Sequence, residues 1–255
     1  VVGLLASKNT LIRERPFRSP HHTISSSALT GGGRIPHPGE ISLAHNGVLF
    51  LDELPEFQRS ALEIMRQPLE DRKVTIARVS GTLTYPANFM LVAAMNPCPC
   101  GYLGDANRCH CSLHEITKYH NKISGPLLDR IDLMVELPAL SYESLESSSH
   151  SDSSSEIKKR VLQAQQIQLE RYQYEDFFFN SQLGAAQIEH YCILGQKEKE
   201  LLQSAFTHMD LSARAYHKIL KVARTVADLE GCKDINTKHI AEVIQYRSLD
   251  RKYKM

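Results

Sequence analysis

Two continuous apolar runs in the first half of the chain predict buried β-strands. GVLFLD (47–52) and NFMLVAAMNP (88–97) each lead apolar residues into a polar side chain, Asp52 in the first and Asn96 in the second. Such runs are typical of parallel strands that are covered on both faces. A third run, IDLMVEL (131–137), predicts a further strand. Strands separated by helices and loops indicate an α/β core with a parallel sheet.

The segments between these runs show other patterns. FQRSALEIMRQPLE (57–70) has apolar residues along one face of a helix, which Pro68 should end or kink. KVTIARVSGTLTYP (73–86) alternates and is interrupted by a Ser-Gly pair, as expected of a β-hairpin. Glycine and proline are frequent over residues 10–46, which predicts an irregular loop with short hairpin strands.

A helical period begins in the second half of the chain. Residues 141–155, SYESLESSSHSDSSS, are rich in serine, and we interpret them as a linker. Helical patterns follow in EIKKRVLQAQQIQLERYQ, KEKELLQSAFTHM, LSARAYHKILKVARTVADLEG and TKHIAEVIQY. The predicted organisation is an α/β core over residues 1–140, the linker, and a helical lid domain over residues 156–255.

Composition narrows the classes of protein that this pattern allows. The 255 residues include 30 Lys and Arg against 29 Asp and Glu, so the net charge is only +1. A contact with nucleic acid therefore requires a local basic patch rather than an overall basic field. No signal peptide is visible and no apolar run approaches the length of a membrane span. We expect a cytoplasmic protein without a membrane partner.

Asp52 and Glu53 form the first candidate site, because a strand that ends in Asp-Glu has the pattern of a Walker B motif. In open α/β sheets the ligand binds at the carboxyl ends of the strands. Asp52 would hold Mg²⁺, and Glu53 would polarise the water that attacks a γ-phosphate. A strand end that merely meets solvent is the alternative.

Three polar residues further along the chain make an ATPase site more specific. Asn96 can orient the attacking water, and Arg130 precedes the third apolar run. Arg214 lies near the start of a predicted helix, where it can face phosphate together with the positive helix end. Each has an ordinary alternative, namely a turn, an ion pair with a neighbouring aspartate, and a solvated helix face.

Four segments carry a family resemblance: GEISLAHNGVLFLDELPEF, EIMRQPLEDRKVTIARVSGTLTYPANFMLVAAMNPCPCGY, ISGPLLDRIDL and LSARAYHKILKVARTVADLEG. They closely resemble the magnesium-chelatase-like AAA+ ATPases of the YifB and competence protein ComM type, over nearly the whole chain. The resemblance implies an AAA+ P-loop NTPase core, N-terminally truncated, followed by a small all-α lid domain. It also implies an intact protein that binds ATP and Mg²⁺ in a hexameric ring and acts on DNA, as in branch migration or as a helicase during natural transformation.

The same resemblance implies roles for single residues. Asp52 and Glu53 match Walker B, and Asn96 matches sensor 1. Arg130 matches the arginine finger, which acts on the ATP of the neighbouring subunit, and Arg214 matches sensor 2, which contacts phosphate.

The predicted hairpin matches one that, in related replicative helicases, points into the pore of the ring and touches DNA. Lys73 and Arg78 are its basic residues, and Arg78 falls where a basic residue sits in those helicases. The segment GGGRIPHPGEISLAHNG resembles an insert that also faces the pore.

One family motif is absent from the sequence. The chain contains no Gly-Lys dipeptide and hence no G-x-x-x-x-G-K-[ST] phosphate loop. We expect a fragment that begins after this loop, with a degenerate paralogue as the alternative, and weak ATP binding in either case.

Other functions remain as alternatives to a motor that acts on DNA. A chelatase-type motor subunit and a chaperone-like remodelling ATPase are the rival motors. A catalytically inactive scaffold or DNA-binding module is the rival of another class.

The stretch CPCGYLGDANRCHC forms the second candidate site, with four cysteines: Cys98, Cys100, Cys109 and Cys111. Four thiolates in two close pairs can form a tetrahedral Zn²⁺ site. Each C-x-C pair is tighter than the usual C-x₂-C, so His114 can replace a thiol that does not reach the ion. Reduced thiols in a loop are the alternative, and a disulfide is disfavoured in a cytoplasmic protein.

The loop RPFRSPHHTIS is a third group with polar side chains. Its basic and imidazole groups could contact phosphates, and a solvated loop is an equally good interpretation. These residues are Arg13, Arg15, Arg18, His21 and His22.

Overall fold

The computed structural model describes residues 14–78, 81–138 and 152–247. The chain divides into two compact units, with the boundary between Ile131 and Asp132. An α/β unit is followed by an all-α unit, which confirms the predicted fold class.

The first unit is built from short elements. Its described strands are β1 (Phe17–Arg18), β2 (Gly31–Gly32), β3 (His37–Pro38), β4 (Val48–Leu51), β5 (Lys73–Arg78), β6 (Gly81–Pro86) and β7 (Met90–Ala93). Its described helices are α1 (Ser26–Thr30), α2 (Glu40–Leu43), α3 (Arg59–Ile64), α4 (Arg66–Asp71), α5 (Leu113–His120) and α6 (Gly125–Leu128), and a 3₁₀ turn spans Leu54–Glu56.

Strand β4 lies at the centre of a three-stranded parallel sheet with the order β1-β4-β7. The register places Leu51 of β4 opposite Ala93 of β7. Leu49 and Leu51 are fully buried, whereas Met90 and Val92 of the neighbouring strand are 64% and 40% exposed. Among the described residues the sheet is thus well covered on one face only, and the prediction of strands covered on both faces is wrong for them.

The strand predicted over residues 131–137 is also wrong for this structure, because these residues join no sheet. Their alternate apolar side chains stay exposed, at 47% for Leu133, 63% for Val135 and 84% for Leu137. A strand needs a neighbour that takes up its N–H and C=O groups. Among the described residues no strand lies beside this run, and the third strand of the sheet is instead β1, from the proline-rich loop.

Residues 57–70 form two helices, α3 and α4, instead of one. Pro68 has no N–H to donate to the carbonyl four residues earlier, which belongs to Ile64. Helix α3 ends at Ile64, and α4 begins at Arg66. The predicted effect of Pro68 is therefore confirmed, but it acts one turn before the proline itself.

The second unit packs helices around one apolar core. Its described helices are α7 (Ser154–Arg171), α8 (Ala185–Tyr191), α9 (Gln196–Met209), α10 (Ala213–Leu229) and α11 (Thr237–Gln245), and a 3₁₀ turn spans Asn180–Gln182. Ala223 and Ala227 of α10 and Ile240 and Val243 of α11 are fully buried in this core. Ser153 caps α7, which thus begins inside the range predicted as a linker, while residues 139–151 of that region lie outside the described residues. No helix among the described residues is both long enough and apolar enough to cross a membrane.

Candidate functional site

The first candidate site lies at the carboxyl edge of the three-stranded sheet. Because β1, β4 and β7 run parallel, the residues that follow each strand emerge at the same edge. Ala94 connects two of these ends: its N–H donates to the Leu51 carbonyl (2.9 Å) and its carbonyl accepts from the Leu54 N–H (3.0 Å). The segment after β7 therefore runs alongside the Asp52-Glu53 pair, and Asn96 follows two residues later.

Both predicted carboxylates are exposed at this edge. The Glu53 N–H donates to Asp52 Oδ1 at 2.9 Å, and the Glu53 side chain is 57% exposed. Glu53 adopts a left-handed backbone conformation, with φ 52° and ψ 48°. This conformation costs an L-residue roughly 1 kcal/mol, and it turns the chain from strand β4 into the following 3₁₀ turn.

His22 contacts the second carboxylate. Its Nδ1 lies 3.1 Å from Glu53 Oε2, and its ring packs against the His21 ring at 4.1 Å between centroids. The sequence grouped His22 with loop residues that can contact phosphate and did not connect it with Glu53. The missing information was β1, a two-residue strand that delivers His22 to the edge where β4 ends.

Arg18, from the same loop, is already paired within the first unit. Its Nε and Nη2 donate to the two carboxylate oxygens of Glu40 at 2.6 and 2.7 Å. This hydrogen bonding raises the pKa of Arg18. The guanidinium thus fastens β1 to helix α2 rather than pointing to an open phosphate position.

Arg130 makes several bonds inside the first unit, and its side chain is only 10% exposed. The Nε donates to the Arg66 carbonyl at 3.0 Å and Nη1 donates to the Pro126 carbonyl at 2.6 Å. Nη2 pairs with the Glu70 carboxylate. The sequence suggested an ion pair with a neighbouring aspartate, and the structure shows one with Glu70, sixty residues away.

Arg214 belongs to the second unit, whereas Asp52, Glu53, Asn96 and Arg130 belong to the first. It is exposed and is the second residue of α10. Ser212 caps this helix by accepting the Ala215 N–H at 3.2 Å. The guanidinium accordingly lies on the first turn, where the helix dipole favours an anion.

The predicted hairpin is confirmed by β5 and β6, which pair from Lys73 opposite Pro86 to Arg78 opposite Gly81. Its turn, residues 79–80, lies outside the described residues. Side chains alternate along a strand, so Lys73 and Arg78, five positions apart, point to opposite faces. The structure therefore separates the two basic residues that the sequence grouped together.

Arg78 lies next to the glycine-rich insert. A Cβ on Gly32 would stand 3.1 Å from Arg78 Nη2, and the Tyr85 hydroxyl of β6 donates to the Pro36 carbonyl at 2.9 Å. Arg34 of the insert is exposed. The resemblance assigned the hairpin and the insert separately to a pore. In the structure they are in contact, and each carries one exposed arginine.

The four clustered cysteines also come together. Each of the four Sγ atoms lies within 4.8 Å of every other. His114, the predicted substitute ligand, and the adjacent His110 do not belong to this group. A backbone hydrogen bond from Tyr102 lowers the pKa of the Cys100 thiol to about 6. This cluster could hold a metal ion.

Comparisons with known proteins place the chain in a family. The family described as magnesium chelatase, subunit ChlI, matches residues 1–145, and its C-terminal counterpart matches residues 151–247. Competence protein ComM of Haemophilus influenzae is 48% identical over 241 residues, covering 94% of this chain and 46% of that protein. The uncharacterised protein YifB of Escherichia coli is 45% identical with the same coverage. The chain spans about half the length of these curated relatives.

Proposed function

Because the chain belongs to the magnesium chelatase family and is an AAA+ protein of the ComM and YifB type, we propose a role in ATP hydrolysis. The chain would supply the residues that bind Mg²⁺ and those that activate the attacking water. One observation supports this best: Asp52, Glu53 and the Glu53 partner His22 meet at the carboxyl edge of a parallel sheet. Ligands of open α/β folds bind at this edge.

The donor atoms fit the proposed ligand. Mg²⁺ prefers hard oxygen ligands and is usually held by one or two carboxylates together with water and phosphate oxygens. Asp52 offers an exposed carboxylate of this kind. When bound, Mg-ATP supplies the phosphoryl group and the charge that the metal neutralises.

The remaining residues act on the attacking water and on the negative charge of the γ-phosphate. Glu53 accepts a proton from the water, and His22 fixes the carboxylate orientation through its 3.1 Å contact. Asn96 positions the same water. Arg130 of a neighbouring subunit and Arg214 stabilise charge on the γ-phosphate. In this arrangement Arg130 exchanges its Glu70 partner for phosphate when subunits assemble into a ring.

The test of hydrolysis compares Glu53→Gln with Glu56→Gln in the complete protein. Loss of a general base typically reduces turnover about 10²- to 10⁴-fold, so Glu53→Gln should lose hydrolysis while nucleotide binding persists. Glu56 is a matched control, because it lies three residues further on and pairs with Lys122 at 3.0 Å. Equal activity in both variants would overturn the assignment. His22→Ala should lower turnover less than Glu53→Gln does.

A separate measurement concerns nucleotide affinity. The 255-residue chain contains no G-x-x-x-x-G-K-[ST] motif, so we expect weak ATP binding by this chain alone. Micromolar affinity in calorimetry would show that these residues hold the phosphates without that loop. The result does not affect the comparison of Glu53 and Glu56, which is made in the complete protein.

We propose DNA as the substrate that the motor moves, with the hairpin and the insert as the contact surface. The name of the ComM relative refers to competence, and Arg78 and Arg34 are exposed on neighbouring segments. Positive side chains that neutralise phosphates make binding steeply dependent on salt. The chain offers such residues locally, as its near-zero net charge requires.

The test of DNA binding compares Arg78→Ala and Arg34→Ala with Lys118→Ala, an exposed lysine on α5, outside the hairpin and the insert. Each loss of a phosphate contact should reduce the slope of log K against log salt by about one. The control should leave the slope unchanged.

A second test measures ATPase activity with and without branched DNA. Stimulation by the DNA supports the motor, and no response to DNA counts against it. A chelatase-type motor would respond to a partner subunit and a porphyrin instead, and an inactive scaffold would bind DNA without hydrolysis.

A further inference from the structure

The four cysteines of the segment 98–111 have the mutual spacing of ligands around one ion. Cys98 Sγ lies 3.4 Å from Cys100 Sγ and 3.9 Å from Cys109 Sγ, and the Sγ atoms of Cys100 and Cys109 are 3.7 Å apart. Cys111 completes a group in which all pairs are within 4.8 Å. The tight C-x-C spacing therefore does not keep the two thiols of a pair apart.

These distances agree with tetrahedral zinc. A Zn–S bond of about 2.3 Å places neighbouring sulfurs of a tetrahedron about 3.8 Å apart. The three distances above lie on either side of that value. A disulfide would require sulfurs about 2.05 Å apart, and the cysteines are all free thiols. Soft thiolate ligands select Zn²⁺ over the hard cations Mg²⁺ and Ca²⁺.

Two turns shape the loop that carries the cysteines. Gly101, at φ +84°, closes a turn in which its N–H donates to the Cys98 carbonyl at 3.0 Å. Asp105 closes the second turn, where its carbonyl accepts the Cys109 N–H at 2.9 Å. The first turn spans Cys98 and Cys100, and the second leads into Cys109, next to which the four Sγ atoms meet.

We propose that Cys98, Cys100, Cys109 and Cys111 bind one structural Zn²⁺ ion, which closes the loop that follows Asn96. Four protein ligands leave no open coordination position, which is typical of structural rather than catalytic zinc. The ion would tie the end of strand β7 to the start of helix α5, whose capping residue Ser112 follows Cys111 directly. His120 at the other end of α5 already contacts the Pro97 carbonyl at 2.8 Å through Nε2.

A second group with metal-ligand chemistry, Glu230, Cys232 and His239 in the second unit, makes a useful comparison. Both ring nitrogens of His239 are engaged: Nδ1 accepts the Asn236 N–H at 3.0 Å and Nε2 lies 3.0 Å from Glu230 Oε2. The histidine completes the capping box of α11 and pairs with a carboxylate, so it has no nitrogen left for an ion. Cys232 is therefore a thiol that should not contribute to zinc binding.

The experiment measures zinc in the 255-residue chain after purification without added metal. Elemental analysis should find about one zinc per chain. Cys98→Ser and Cys109→Ser should each reduce the zinc content severalfold, whereas Cys232→Ser should retain it. Zinc that is lost in Cys232→Ser but kept in the other two variants would overturn the proposal. So would a wild-type chain that stays free of zinc after incubation with Zn²⁺.

Three further readouts on the wild-type protein keep the proposal testable if a variant fails to fold. Wild-type protein loaded with Co²⁺ in place of zinc should show the intense visible bands of tetrahedral cobalt thiolate, and their absence would contradict four-sulfur coordination. An iron content with cluster absorption would replace zinc by an iron–sulfur site and would also overturn the proposal. Removal of zinc by a chelator should lower the stability of the first unit, because metal that binds only the folded state stabilises it.

Discussion

Substitution of Arg130 by alanine should destabilise the first unit even in the absence of nucleotide or neighbours. The side chain is 10% exposed and donates to two backbone carbonyls and to the Glu70 carboxylate. The ion pair itself contributes about 0–1 kcal/mol, because Glu70 is 41% exposed and water screens it. Hydrogen bonds from a charged donor contribute about 1.5–3 kcal/mol when buried and less at the surface.

We therefore expect Arg130→Ala to lower the free energy of unfolding of the first unit by about 2–4 kcal/mol. Glu70→Gln should lower it by less than about 1 kcal/mol, since the ion pair with Arg130 is screened by water. Arg130→Lys should fall between them, because an ammonium group cannot reach three acceptors in a fixed fork.

Hydrogen exchange with mass spectrometry is the suitable assay, since the chain has no Trp for fluorescence and peptides from the two units are read separately. Protection in the first unit should fall in Arg130→Ala, and protection in the second unit should not change. If the first unit keeps wild-type protection within about 0.5 kcal/mol, the described bonds do not hold Arg130. The reasoning would then be wrong, and loss of ATPase activity in this variant could be assigned directly to an arginine finger.

Two other changes have expected outcomes in the same assay. Asp228→Asn removes a fully buried carboxylate that bonds two arginine side chains in the second unit, and it should cost about 3–5 kcal/mol there because it leaves their charges uncompensated. Unchanged protection of the second unit would contradict this. Gly47→Ala places a Cβ 1.9 Å from the Pro16 carbonyl oxygen, so β1 must move and the first unit should lose about 1–3 kcal/mol. Gly125→Ala is the control, because a Cβ there would meet no other atom within 4 Å, and it should leave the stability unchanged. Equal losses of stability in both variants would rule out the clash.

The elements that follow from local pattern were predictable from the sequence. Residues 47–52 and 88–97 contain strands β4 and β7, and the alternation over residues 73–86 gave the hairpin. The helical period gave α7, α9, α10 and α11. In these elements the apolar spacing indicates the type of element, but it did not show that Met90 and Val92 of β7 stay exposed.

Features that depend on distant partners were not predictable. Strand β1 has two residues, too few for any periodicity, and exists because Phe17 pairs with Val48. Residues 131–137 have the pattern of a strand but have no neighbouring strand among the described residues. The contact of His22 with Glu53 follows from β1, so the sequence could suggest both residues without joining them.

Each candidate site also has features that were predictable from the sequence and features that were not. The order of Asp52, Glu53, Asn96, Arg130 and Arg214 indicated an ATPase, and their roles stay predictions until the variants are measured. The tight spacing of each C-x-C pair suggested that His114 replaces a thiol that does not reach the ion. The Sγ distances in the structure show that all four sulfurs meet and that His114 is not among them.

The left-handed backbone of Glu53 has a consequence for anyone who engineers this protein. Glycine adopts φ 52° without the steric cost that glutamate carries. Glu53→Gly should therefore fold at least as well as the natural chain while lacking the proposed base. A library selected only for heat resistance or expression would enrich this variant, and selection for hydrolysis would remove it. At position 53, selection for thermostability should therefore favour glycine, and selection for turnover should favour glutamate.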